Sequence, residues 1–277
     1  MRNELLHVFK NTPYGREILM ASVYFCKETG TALRVYIPKF RQFLMYFENE
    51  VATVDLDRAF LRDPGTAKEH AEQIITEAGL TPHFIEPKGF TASTLPDLPT
   101  DFRYMTCSGA LSIIASKVGH GSIGPGVRNI IRSAGFPVFI PTPVYKEWKK
   151  IVVFFGGSQN AIKALQYGIE ISTLSGFPLL LFTQSEDHKD LNFYQGEIER
   201  AGLYKKLEAM GFEWLFFDKG DLKSNLYDVP HNGLAIVGAY GHGPLREALF
   251  GSMMEQIREI LPNNMLVVGP NCTPVIG

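Results

Sequence analysis

Cysteine is scarce in this chain of 277 residues: three are present, at 26, 107 and 272, and no two form a CxxC pair. That count argues against a disulfide framework or a zinc finger and predicts reduced thiols, as in a cytoplasmic protein. An excess of one charge is missing too, with 27 Lys and Arg against 29 Asp and Glu and a net charge of -2. A dedicated nucleic-acid binder is disfavoured, because nothing here would drive broad counterion release. No apolar run approaches the roughly 18 residues of a membrane helix; the best, Phe177 to Phe182, is far too short. The opening Met1-Arg-Asn-Glu-Leu-Leu-His lacks the basic start and long apolar core of a signal peptide. GxxxxGK[ST] is also absent, which disfavours a P-loop NTPase. What remains is the composition of an ordinary globular protein, 45% hydrophobic and 20% charged, with a length that suits two domains of about 140 residues or one large one.

The chain reads as a diverged duplication. Gly124-Pro-Gly-Val-Arg-Asn-Ile-Ile-Arg-Ser-Ala-Gly-Phe-Pro-Val-Phe-Ile can be laid over Gly251-Ser-Met-Met-Glu-Gln-Ile-Arg-Glu-Ile-Leu-Pro-Asn-Asn-Met-Leu-Val-Val. Both show a glycine turn, an amphipathic helix, a break and a short apolar strand. The joint is expected in the Pro-rich, charged segment 141–150. In the second half, strands are predicted at 151–155, 178–183, 213–217, 234–238 and 265–268, with a helix over 160–174. In the first half they are predicted at 5–9, 32–37, 83–86, 103–107 and 137–140, with extra length around 40–64. These strands show little period-two alternation, as expected when helices cover both faces of a parallel sheet. The predicted fold class is α/β, two tandem doubly wound domains.

The informative segment is Gly238-Ala-Tyr-Gly241-His-Gly-Pro-Leu-Arg-Glu-Ala-Leu-Phe-Gly251-Ser252, which follows a predicted strand and runs into a predicted helix. Glycines there let backbone approach a ligand closely. A helix opening at Ser252 offers unpaired N–H groups and positive dipole to a phosphate. His242 and Arg246 could add donors. A second turn, Gly156-Gly157-Ser158, ends the strand predicted at 151–155, and the two turns meet at a switch point, where doubly wound sheets bind ligands. Together they suggest a nucleotide. The plainer alternative is that Ser252 to Glu255 is a capping box and Ser252 only punctuates a helix.

The spacing Gly238-x2-Gly241-x9-Gly251-Ser252 resembles the nucleotide-binding signature of the universal stress protein family, G-x2-G-x9-G-S/T, in its tandem two-domain form. The resemblance implies domains at 1–145 and 146–277, each with a five-stranded parallel sheet in the order 3-2-1-4-5. It implies ATP or a related adenine nucleotide, with magnesium as an accompanying ion. Gly241, Gly251 and Ser252 would hold the phosphates, with Gly238, His242 and Met253 nearby. Thr183 would mark the start of the adenine-contacting loop. Strand five of each domain would pair with the other in an intramolecular pseudo-dimer, with a further homodimer left open. Two departures stand out. Gly156 occupies a position that is often acidic in the family, and Gly124-Pro125 replaces the Gly-Ser pair in the first domain. Proline has neither N–H nor hydroxyl, so the first site is expected to be degenerate.

The resulting expectation is a cytoplasmic, nucleotide-binding regulatory module of the stress response, not an enzyme, with slow ATP hydrolysis left open. Its alternatives are a scaffold of the same fold without nucleotide, and an ATP-pyrophosphatase-type adenylating enzyme. Gly119-His-Gly121-Ser-Ile-Gly124 fits GxGxxG but lacks a preceding strand. The seven scattered histidines read mainly as packing or surface residues. Phe40, Phe43, Tyr46 and Phe47 fall at helical spacing, and 188–210 reads as one solvated charged helix.

Overall fold

In a computed structural model, residues 2–87, 94–109, 123–186, 189–240 and 256–274 are described. The first half runs β1 (Glu4–Val8), α1 (Pro13–Thr29), β2 (Ala32–Tyr36), β3 (Gln42–Tyr46), β4 (Val51–Asp55) and a 3-10 turn at Arg58–Leu61. It continues with α2 (Pro64–Glu77), β5 (Asp97–Leu98), β6 (Tyr104–Thr106), α3 (Pro125–Ser133) and β7 (Val138–Ile140). The second half runs β8 (Lys150–Phe154), α4 (Gln159–Ser175), β9 (Leu179–Gln184), α5 (Leu191–Arg200), α6 (Tyr204–Met210) and β10 (Phe212–Phe217). After it come α7 (Leu222–Asn225), a 3-10 turn at Leu226–Asp228, β11 (Gly233–Gly238), a helical stretch at 256–260 and β12 (Met265–Val268).

The two long helices form for the same local reasons. Thr12 caps α1 by accepting the Gly15 N–H at 3.1 Å, and Ser158 caps α4 by accepting the Ala161 N–H at 3.2 Å. Each helix ends on a glycine in the left-handed region, Gly30 at φ 63° and Gly176 at φ 70°. That conformation carries no penalty without a Cβ. The pairs Leu5 and Ile151, Thr12 and Ser158, and Gly30 and Gly176 share one constant displacement along the chain, so the halves align without gaps from the first strand through the first helix.

One nine-stranded sheet carries both halves, in the order β10-β9-β8-β11-β12-β7-β6-β1-β2. All its neighbours are parallel except β12 and β7, which pair antiparallel through Met265–Ile140, Leu266–Phe139 and Val267–Val138. Along a strand, alternate residues enter different cores. Leu6, Val8, Val152 and Phe154 face one, while Leu5, Phe9, Ile151, Val153 and Phe155 face the other. Burial on both faces is why the sequence of these strands shows little alternation.

Three findings differ from the sequence reading. The first-half strand expected at 83–86 is reduced to a single bridge, Val35 to Phe84. Residues 40–47 are not helical. They include β3, which pairs with β4 and β5 in a separate small sheet, with Phe43 buried edge-on against Tyr36 at 5.7 Å and Phe40 exposed. The charged helix expected over 188–210 is divided into α5 and α6 by Gly202, whose φ is 71°. The segment 141–150, between β7 and β8, is anchored in the core. Trp148 is 1% exposed and stacks edge-on with Tyr24 and Phe177, and the Tyr24 hydroxyl donates to the Trp148 carbonyl at 2.6 Å.

Candidate functional site

The second half changes direction between β8 and β11. From β8 the sheet is built outward through β9 to β10, and from β11 it is built the other way to β12. The ends of these two paired strands therefore flank a switch point, the place where doubly wound sheets leave a crevice. Gly156 stands there just past the end of β8, solvent-exposed, and a Cβ placed on it would meet nothing within 4 Å. Gly157 follows at φ 73°, and Ser158 then starts α4. The turn thus delivers a helix N-terminus, with its unpaired N–H groups, beside the end of β11.

Gly238 is the last residue of β11, and packing explains its identity. A Cβ on it would lie 2.4 Å from the Asn160 carbonyl oxygen and 2.8 Å from the Ala161 nitrogen. Strand end and helix start therefore touch backbone to backbone. Asn160, which the sequence reading missed, secures the contact by donating from Nδ2 to the Ala239 and Tyr240 carbonyls at 2.5 and 2.9 Å. Tyr240 then takes a φ of 58°, uncommon for a residue with a side chain. Its hydroxyl donates to the Arg128 carbonyl of the first half at 3.2 Å. No local pattern announces Asn160, because its partners lie almost eighty residues downstream.

Thr183 sits near the end of β9, but its side chain is turned into the core. It is fully buried, donates to the Phe155 carbonyl at 2.9 Å and accepts from the Trp214 indole at 3.0 Å. Its hydroxyl is thus committed to the core, while the residue itself stands near the end of β9, just before the loop that follows. The loop beyond is held by the Tyr194 hydroxyl, which accepts the Glu186 N–H at 3.0 Å. A hydrogen bond to Glu186 holds the Lys189 ammonium above its ordinary pKa.

Of the remaining predicted residues, Gly241, His242, Gly251, Ser252 and Met253 lie outside the described residues, as do Arg246 and the segment Gly119 to Ser122 of the GxGxxG match. In the first half, Gly124 occupies the cap of α3 without a side-chain hydrogen bond, and Pro125 fills the first helical position. A cavity of about 540 Å³ lies between α4, α5 and the segment after β12, lined by Lys163, Arg200 and Thr273 among others. It contains none of the predicted residues. The three cysteines are buried free thiols, and burial pushes Cys107 and Cys272 up to about 12.

No family model matches the sequence. A universal stress protein of Synechocystis is 25% identical over 194 residues, covering 68% of this chain and 65% of that relative's length. The match thus spans less than two thirds of the relative. A universal stress protein structure from Archaeoglobus fulgidus superposes with a TM-score of 0.62 at 16% identity, covering 97% of both chains. One described as a putative universal stress protein from Pseudomonas aeruginosa gives 0.58 at 13% identity over 98% of this chain and 94% of the other. The chain resembles universal stress proteins in sequence, and it has their fold.

Proposed function

We propose that this chain is a tandem universal stress protein whose second half binds an adenine nucleotide, and that it acts as a regulatory binding module without catalysis of its own. The observation that carries the reading is the pairing of β8 with β11 at the switch point, which brings the Gly156-Gly157 turn beside the strand from which the Gly238-x2-Gly241-x9-Gly251-Ser252 motif departs. An open space over Gly156 and a helix N-terminus at Ser158 suit a polar, anionic ligand. In this reading ATP lies across the crevice. Gly241, Gly251 and Ser252 hold its phosphates with any magnesium, and His242 and Met253 flank it. Thr183 supports the floor beneath the base. The domains divide at 145/146, and the protein works in the cytoplasm.

A scaffold of the same fold that carries no nucleotide is the second reading, favoured by Gly156 in place of an acid and by Pro125 at the start of α3. One experiment separates them. Freshly purified protein is denatured, and any released nucleotide is identified by chromatography and counted per chain. About one adenine nucleotide per chain, lost in Gly251→Val, supports the binder. Two per chain refutes the degenerate first site. None, together with no heat on titrating ATP and magnesium, refutes the binder.

A further inference from the structure

The aligned halves differ sharply at one place. In the second half Val153 of β8, opposite Ile236 of β11, packs against Gly168 of α4 so tightly that a Cβ on Gly168 would lie 2.3 Å from a Val153 methyl. The equivalent positions in the first half are His7, Thr106 and Ser22. There the His7 Nδ1 and the Thr106 hydroxyl each lie 2.9 Å from the Ser22 Oγ, and Ser22 donates to the Ile18 carbonyl at 3.1 Å. A dry apolar contact in one half is a buried polar network in the other.

The network has a direction. Ser22 has one proton, and the Ile18 carbonyl can only accept it. With that proton directed to the Ile18 carbonyl, the Ser22 Oγ accepts from Thr106 and from His7, and the neutral imidazole is assigned its Nδ1–H tautomer. Nε2 is then a bare acceptor. His7 is 1% exposed, yet it lines a cavity of about 270 Å³, and Nε2 has no hydrogen-bond partner among the described residues. The acceptor therefore faces the cavity, where a donor can reach it.

The cavity also has a built wall. The turn at Arg58–Leu61, from the segment by which the first half exceeds the second, supplies Ala59 and Phe60. Asp57 holds Lys10 at 2.5 Å, and the Lys10 ammonium sits 5.1 Å from the Phe60 ring centre. Lys10, Thr12, Gly15 and Ser108 also line it, so the capped N-terminus of α1 opens onto it. Among the described residues the lining presents the Asp57-paired Lys10 ammonium, a helix N-terminus and the His7 Nε2 acceptor, and no carboxylate. Its volume falls below the roughly 300–1,000 Å³ of sites for drug-sized ligands.

We propose that this first-half cavity is a binding site for a small hydroxycarboxylate, its hydroxyl donating to His7 Nε2 and its carboxylate facing Lys10 and the start of α1. The assignment is independent of the nucleotide reading of the second half, and it gives the first half a ligand of a different class.

The test compares lactate with propionate, which differ only in the α-hydroxyl, on the full chain with and without saturating ATP. Binding is followed by calorimetry and by the 15N resonance of His7 Nε2. Lactate should bind about tenfold more tightly than propionate, as expected for one buried hydrogen bond to an otherwise unmet acceptor. It alone should shift the Nε2 signal, and ATP should not displace it. His7→Val, which installs the second half's residue, should erase the preference, and Lys10→Met should weaken both acids. The unmodified protein already decides the matter through the Nε2 signal if a variant fails to fold. Equal binding of the two acids, no Nε2 shift, or displacement by ATP would overturn the proposal.

Discussion

His7 makes a prediction about acid stability that depends on no ligand. Burial alone lowers its pKa from 6.5 to about 3, because a charged imidazolium would lose its water beneath α1. Between those values the unfolded chain takes up a proton that the folded chain does not. The stabilisation that comes from keeping His7 neutral is therefore complete above pH 6.5 and is lost as the pH falls from 6.5 towards 3. The loss is about 1.4 kcal/mol per pH unit, hence about 2 kcal/mol at pH 5. His7→Val removes this proton uptake while leaving the other titrating groups in place. Urea unfolding of both proteins at pH 7 and pH 5 reads the difference. Wild type should lose about 2 kcal/mol more than His7→Val on acidification, with m unchanged. Parallel losses would mean that His7 is solvated in the folded protein, and the account of the network would fall with it.

Three further outcomes concern the second half. Gly238→Ala should destabilise by about 1–3 kcal/mol through overpacking against the Asn160 backbone, read as a lowered urea midpoint; an unchanged midpoint would show that β11 and α4 are further apart. Thr183→Val should cost about 1–3 kcal/mol, because it orphans the Phe155 carbonyl and the Trp214 indole. It should leave nucleotide affinity within about twofold, and a large loss of affinity would restore a ligand role to the hydroxyl. Ser158→Ala should cost about 1 kcal/mol as a lost helix cap, measured by thermal melting, and no loss would displace the start of α4.

The parts of the fold legible in the sequence were those set by local chemistry. The runs at 151–155 and 265–268 announce buried strands, and the helix over 160–174 follows the turn ending at Ser158, because caps and apolar runs act within a few residues. The segment 40–47 misleads for a physical reason. Phe40, Phe43 and Phe47 satisfy a helical period, while the strand depends on pairing with 51–55 and 97–98. Gly238 and Thr183 show the same limit within the candidate site. Glycine at a strand end looks like room for a ligand, and threonine like a ligand contact, yet the groups that determine both, Asn160 in one case and Phe155 and Trp214 in the other, are remote in sequence. His7 reads as one scattered histidine until Ser22 and Thr106 come to meet it.

The antiparallel seam between β12 and β7 has a consequence for how such a protein can change. If the same architecture were assembled from two identical chains, every substitution would appear twice, and a residue that improved one crevice would be imposed on the other. Here both crevices belong to one continuous polypeptide, and each can drift alone while the seam preserves the shared sheet. Val153 and Gly168 could keep their dry contact while His7 and Ser22 took up polar chemistry at the matching positions. Joining the halves in one chain thus frees matching positions to diverge from each other.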